Sequence, residues 1–132
     1  MELSDIIAPD AVFPNLKASS KKQVLQDLAS RGAERTGLSE RAIFAALLER
    51  ERLGSTGVGH GVAIPHGKFT GLPRITGLFA RMSKPVAFDA MDDMPVDIIC
   101  LLLAPEGSGA EHLKALSRIA RLLRSEERLA RI

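Results

Sequence analysis

Apolar residues recur at helical spacing in two early stretches and then crowd into one unbroken run, and that contrast predicts the fold. Ser20-Lys21-Lys22-Gln23 forms a capping-box pattern, and Val24, Leu25 and Leu28 follow at helical spacing. A first helix is expected to run to about Arg35, with Gly37 ending it. Ser39 suits the N-cap of a second helix whose apolar stripe is Ile43, Phe44, Leu47 and Leu48, and Gly54 marks its end. A strand is expected near 74–81, with Ile75, Gly77, Phe79 and Arg81 on one face and Thr76, Leu78 and Ala80 on the other. Val96 to Leu103 is almost continuously apolar, as expected of a central strand covered on both faces.

The remaining segments fit around these. In residues 1–18, Pro9 and Pro14 break any long helix, while Val12 and Phe13 suit a short strand and Leu16 a seat against the core. Pro85 and the acidic patch Asp89–Asp93 are expected in connections. Pro105-Glu106-Gly107-Ser108-Gly109 reads as a turn, and Ser108 with Glu111 opens a third helix. On that helix Leu113, Leu116, Ala120 and Leu123 form the buried stripe, and Lys114, Arg118 and Arg121 lie along another face. Helices alternating with strands predict an α/β sandwich around a mixed sheet. The 132 residues suit one domain with one modest core, and no repeat, linker or low-complexity tract divides them. Arg131-Ile132 is still in helical pattern, so a final helix is expected to be cut short.

Composition narrows the function. Lys and Arg number 18 against 16 Asp and Glu, for a net charge of +2, and the two signs are interspersed. That describes a solvated mixed-charge surface rather than a nucleic-acid footprint. Five Phe with no Tyr or Trp argue against a stacking platform for single strands. Cys100 is the only cysteine, so no internal disulfide forms, and its apolar neighbours mark it as a buried structural thiol. No segment reaches the ~18 apolar residues of a membrane span, and Met1-Glu2-Leu3-Ser4-Asp5 lacks the basic start of a signal peptide. These features read as a cytoplasmic protein.

The chemistry concentrates in Gly57-Val58-Gly59-His60-Gly61-Val62-Ala63-Ile64-Pro65-His66-Gly67-Lys68. A Walker loop fails here, because Val62 takes the required glycine position and Phe69 replaces the magnesium-binding hydroxyl. The dinucleotide fingerprint lacks its third glycine. His60, His66, His112 and Cys100 have no zinc-finger or HExxH spacing, which leaves only a metal site assembled by the fold. A phosphohistidine remains. A neutral imidazole is nucleophilic near pH 7, glycines let backbone N–H groups approach phosphoryl oxygens, and a guanidinium can neutralise their charge. His66 is the candidate acceptor, although the pattern alone equally fits a residue that ends a strand. Arg50 and Arg52 stand just upstream, and His112 falls in the first turn of the third helix, where the dipole favours an anion. Taken singly, His112 and Arg50 also read as surface residues, His60 as a solvent-facing turn residue, and Ser55 and Thr56 as turn and cap residues.

Leu53-Gly54-Ser55-Thr56-Gly57-Val58-Gly59 with Gly61-Val62-Ala63-Ile64-Pro65-His66-Gly67-Lys68 resembles the active-site signature of the IIA proteins of the bacterial phosphotransferase system, in the fructose/mannitol superfamily. Within it the chain most resembles the nitrogen-regulatory branch. The opening Leu3-Ser4-Asp5-Ile6-Ile7 is similar, as is Leu101-Leu102-Leu103-Ala104-Pro105-Glu106-Gly107 leading to Glu111-His112-Leu113-Lys114-Ala115-Leu116. The resemblance implies a single IIA type 2 domain over residues 1–132, with a mixed five-stranded sheet sandwiched by helices on both faces. It implies that His66 carries the phosphoryl group, that His112 supports it and that Arg50 stabilises the phosphoryl group. It implies an HPr-like phosphocarrier of the NPr type as donor and regulated partners such as potassium transporters or sensor kinases. No metal or organic cofactor, nucleic acid or membrane insertion is implied. A sugar-specific IIA component serving a IIB protein is the alternative, and a degenerate, unphosphorylated binding module is a third. His60 takes a loop position where asparagine is common in relatives, and it is a candidate minor phosphoacceptor.

Overall fold

A computed structural model describes residues 11–90 and 92–107, together with Lys114, Arg118 and Arg121. Strand β1 (Val12–Leu16) leads into helix α1 (Lys21–Thr36) and helix α2 (Glu40–Arg52). Three short strands follow: β2 (Gly57–Gly59), β3 (Val62–Ala63) and β4 (His66–Phe69). Two long strands, β5 (Thr76–Val86) and β6 (Val96–Pro105), complete the described core.

Both helix starts are fixed by hydroxyl caps. Ser20 Oγ accepts from the Gln23 amide at 3.2 Å, and Ser39 Oγ accepts from the Ala42 amide at 3.3 Å. The expected box at α1 closes one residue early, because Gln23 Oε1 accepts from the Ser19 amide and hydroxyl, both at 2.8 Å. Gly37 ends α1 in the left-handed conformation, φ 79°, with its N–H returning to the Ala33 carbonyl. The second helix ends at Arg52, with Leu53 as its C-cap ahead of Gly54.

The sheet is mixed, and β6 is its spine. Strand order runs β1-β5-β6-β3-β2, with β4 also on β6. β5 lies antiparallel to β6, whereas β3 and β4 lie parallel to it and β1 lies parallel to β5. The six strands resolve to the expected five once β3 and β4 are seen as one strand broken at Ile64-Pro65. Their registers on β6 are continuous, with Val62 opposite Ile98, His66 opposite Leu102, and the Leu102 amide bonded to the Pro65 carbonyl at 2.9 Å. Proline has no N–H to add to a ladder, so the pairing lapses there and resumes at His66. His66 therefore opens a strand rather than ending one.

Alternate β6 residues serve two cores, as the unbroken apolar run predicts. Ile99, Leu101 and Leu103 join Leu78 and Ala80 beneath α1 and α2, with Leu25, Leu28, Ile43 and Leu47. Ile98, Cys100, Leu102 and Ala104 join Ile64, Ile75 and Phe79 on the other face. The helical layer sits close because Gly32 brings α1 against Leu103, where an added Cβ would lie 3.2 Å from Cδ1. β5 runs past its expected end, taking in Pro85. A register shift between Arg81 and Val86 absorbs the proline, and burial of Val86 and Phe88 draws the chain back to pair with Val96. β1 pairs only with β5 among the described residues, and its register shifts across Pro14.

Lys114, Arg118 and Arg121 are each helical and exposed. Leu113, Leu116, Ala120 and Leu123, the Ser108–Glu111 cap and residues 1–10 lie outside the described residues. No helix among the described residues is long and apolar enough to cross a membrane.

Candidate functional site

The last turn of α2 and the first residue of β4 meet at the sheet edge. Arg50 and His66, called from sequence, are brought together there. Arg50 Nε donates to His66 Nε2 at 3.1 Å, and Arg50 Nη1 donates to the Gly54 carbonyl at 2.8 Å. On the other side of the ring, His66 Nδ1 lies 2.9 Å from the Ile64 carbonyl. A guanidinium has donors only, so Nε2 must accept and the ring proton must reside on Nδ1. The imidazole is thus one tautomer, with its Nε2 lone pair facing a cation.

Burial lowers the His66 pKa from its ordinary value. The Ile64 carbonyl opposes this, the Arg50 charge adds to it and the Glu51 charge opposes it. The neutral, nucleophilic form is favoured. Gly67 leaves room for the Phe69 ring, because an added Cβ would lie 3.0 Å from Phe69 Cζ, whereas its 3.6 Å to Ala46 Cβ on α2 would be ordinary contact.

The glycine segment is a tight hairpin rather than an open cradle. β2 and β3 pair antiparallel, and the turn residues His60 and Gly61 both adopt left-handed φ, 57° and 77°. This is the type I′ pattern that favours asparagine before glycine. The His60 amide donates to Asp92 Oδ2 at 3.0 Å and its side chain is exposed, so it serves the turn. Gly61 is doubly required, since a Cβ there would also lie 2.8 Å from Asp97 Oδ1.

Arg52 points elsewhere, pairing with Glu49 at 3.3 Å on the exposed side of α2. His112 lies outside the described residues. Ser55 Oγ donates to the Phe88 carbonyl and accepts the Gly57 amide at 3.0 Å, and Thr56 is buried, so both hydroxyls are structural. Among the described residues, no three His, Cys, Asp or Glu side chains converge on a metal position. Cys100 is fully buried and burial pushes its thiol up to about 12, confirming a structural role.

Sequence reasoning missed Glu51. Its side chain is 6% exposed, accepts the Thr56 amide at 3.1 Å and the Thr56 hydroxyl, and lies 2.9 Å from Lys21 Nζ. Only its place beside Arg50 and ahead of Thr56-Gly57 could have marked it.

The fold is that of the IIA type 2 domains of the phosphotransferase system. The crystal structure of nitrogen regulatory protein IIA-Ntr from Neisseria meningitidis matches with a TM-score of 0.89 and 38% identity, over 95% of this chain and 86% of that one. The complex of enzyme IIAMtl with phosphorylated enzyme IIBMtl from Escherichia coli matches at a TM-score of 0.76 and 19% identity, over 92% and 85%, a likeness of fold alone. The family model for the phosphoenolpyruvate-dependent sugar phosphotransferase system, EIIA 2, matches residues 5–132, and the chain belongs to that family. A nitrogen regulatory protein of Bradyrhizobium diazoefficiens is 60% identical over 127 residues, which is 96% of this chain and 83% of that protein.

Proposed function

We propose that this chain is a cytoplasmic phosphorelay protein of the nitrogen branch, accepting a phosphoryl group on His66 from an HPr-like carrier of the NPr type. The observation that carries the reading is the fixed tautomer of His66. Its Nε2 lone pair attacks the phosphorus of the carrier's phosphohistidine, forming an N–P bond as the carrier's N–P bond breaks. That bond's electron pair returns to the carrier nitrogen, and the carrier ring leaves as neutral imidazole when its other nitrogen already carries a proton. The Ile64 carbonyl already holds the Nδ1–H of the ring that becomes cationic. Arg50 must leave Nε2 as phosphorus approaches, and its tether to Gly54 keeps the guanidinium within reach of the phosphoryl oxygens. His112 is the second imidazole of the site in this reading.

The phosphoryl group adds about two negative charges to the surface, and partners such as potassium transporters or sensor kinases read that change. The nitrogen branch is favoured by the 60% identical relative. A sugar-specific IIA role, passing phosphate to a IIB protein, is the second reading, favoured by the fold shared with the mannitol protein seen with phosphorylated IIB. Phosphate incorporation from phosphoenolpyruvate, with enzyme I and carriers of both branches, tests these on wild type, His66→Ala and His60→Ala. Acid-labile, alkali-stable phosphate on wild type and His60→Ala alone supports the relay, and transfer onward to a IIB protein at a useful rate supports the second reading. No incorporation with competent carriers would leave an unphosphorylated binding module.

A further inference from the structure

The two ring nitrogens of His66 are governed by adjacent residues of one helix. Arg50 bonds Nε2 directly. The route to Nδ1 is longer and begins at Glu51. The Glu51 carboxylate takes both the amide and the hydroxyl of buried Thr56. The Thr56 carbonyl accepts the Ile64 amide at 3.0 Å, and the Ile64 carbonyl accepts the His66 Nδ1–H at 2.9 Å. Lys21, reaching across from α1, neutralises Glu51 at 2.9 Å and lies over the Phe88 ring at 4.9 Å to its centroid. Among the described residues, this chain of hydrogen bonds joins Glu51 to the His66 ring.

We propose that Glu51 is a positioning residue that, through Thr56 and the Ile64 carbonyl, holds the proton of His66 on Nδ1 and so leaves Nε2 unprotonated, with its lone pair able to take the phosphoryl group. The second half of this statement rests on the phosphorelay reading; the first does not. Removing the carboxylate frees Thr56, and with it the peptide that orients Ile64. The Ile64 carbonyl then drifts from Nδ1, and the Arg50 donor alone is left to bias the proton away from Nε2, so a fraction of the rings takes the other tautomer when that side chain swings off. Even a ring with half its molecules protonated on Nε2 loses only about twofold in nucleophilic population, and misorientation extends the loss to about tenfold. The Glu51 charge also opposes the lowering of the His66 pKa, so the same residue biases charge and geometry together.

The test separates the two. Two-bond ¹H–¹⁵N spectra of the His66 ring report the tautomer and need no phosphoryl donor. They are recorded for the wild type, Glu51→Ala and Glu51→Gln in mildly alkaline buffer, with thermal melts to confirm folding. Wild type should show the Nδ1–H tautomer alone and Glu51→Ala a mixture, with phosphorylation slowed about tenfold. Glu51→Gln keeps an acceptor for the Thr56 amide and a partner for its hydroxyl, so it should restore the single tautomer. A folded Glu51→Ala protein with one tautomer and an unchanged rate overturns the proposal. So does a mixture in both variants, which would make charge rather than hydrogen bonding decisive. If Glu51→Ala fails to fold, Thr56→Val tests the same route, a partial mixture supporting it and a single tautomer overturning it. Absence of any phosphorylation in wild type would remove the relay reading and leave the tautomer result standing.

Discussion

Gly57 offers the sharpest test of the packing around the site. A Cβ built on it would lie 2.8 Å from Ala90 Cβ and 3.0 Å from Ala90 Cα. Carbon pairs are most favourable at about 3.5–4.0 Å. Both obstacles belong to a residue without a side-chain torsion, so no rotamer change relieves them. Gly57 has no positive φ, and the effect of Gly57→Ala is therefore steric overpacking, worth about 1–3 kcal/mol. The smaller entropy of the unfolded alanine chain returns about 0.4–1 kcal/mol, leaving a net loss of about 1–2 kcal/mol. With a urea slope of about 2 kcal/mol/M, the midpoint should fall by about 0.5–1 M at constant slope. Ala90→Gly removes the nearer obstacle. The double variant should recover a coupling energy of about 1 kcal/mol beyond the sum of the single changes. A midpoint for Gly57→Ala within error of the wild type would refute the reasoning, as would a double variant that is merely additive.

The site supports three further predictions. Arg50→Lys keeps the charge but loses the fork that spans His66 and Gly54, so single-turnover phosphorylation should slow by about 10–100-fold in a rapid-quench assay, with the fold intact. A folded-state pKa of His66 below its unfolded value means that the unfolded chain binds the proton first. Stability should then fall as pH drops below the unfolded value of about 6.5 and stop falling below the folded pKa, and His66→Gln should remove that component from urea titrations across the window. Cys100, with its thiol pushed up to about 12, should resist an aromatic disulfide reagent in the native protein and react only in denaturant; rapid native reaction would mean that the strand opens readily.

The elements that were legible from sequence are those whose signals are local. The Ser20 and Ser39 caps, the Gly37 stop and the two-faced burial of β6 follow from spacing within a few residues. The three strands of two to four residues between α2 and β5 carry too little length for any periodicity. β3 and β4 form because β6, far downstream, offers a ladder, and β2 then pairs with β3. The same cause hid the extension of β5, where Pro85 reads as a break until the pairing of Val86 with Val96 is seen. At the site, His66 and Arg50 were recognisable by residue type and motif. Glu51 was not, because its significance comes from Lys21 on another helix and from a backbone relay that no sequence spacing encodes.

Pro14 bears on how the molecule behaves among copies of itself. Along the described residues β1 is an outer strand, and such strands recruit neighbours when their free N–H and C=O groups form a regular row. Proline deletes a donor from the middle of that row, and exposed Asn15 and Lys17 beside it keep the margin wet. A partly apolar border, with Val12 37% exposed, is thereby denied a template for cross-strand growth. At this rim, among the described residues, the proline interrupts the row of donors that strand-by-strand growth would need.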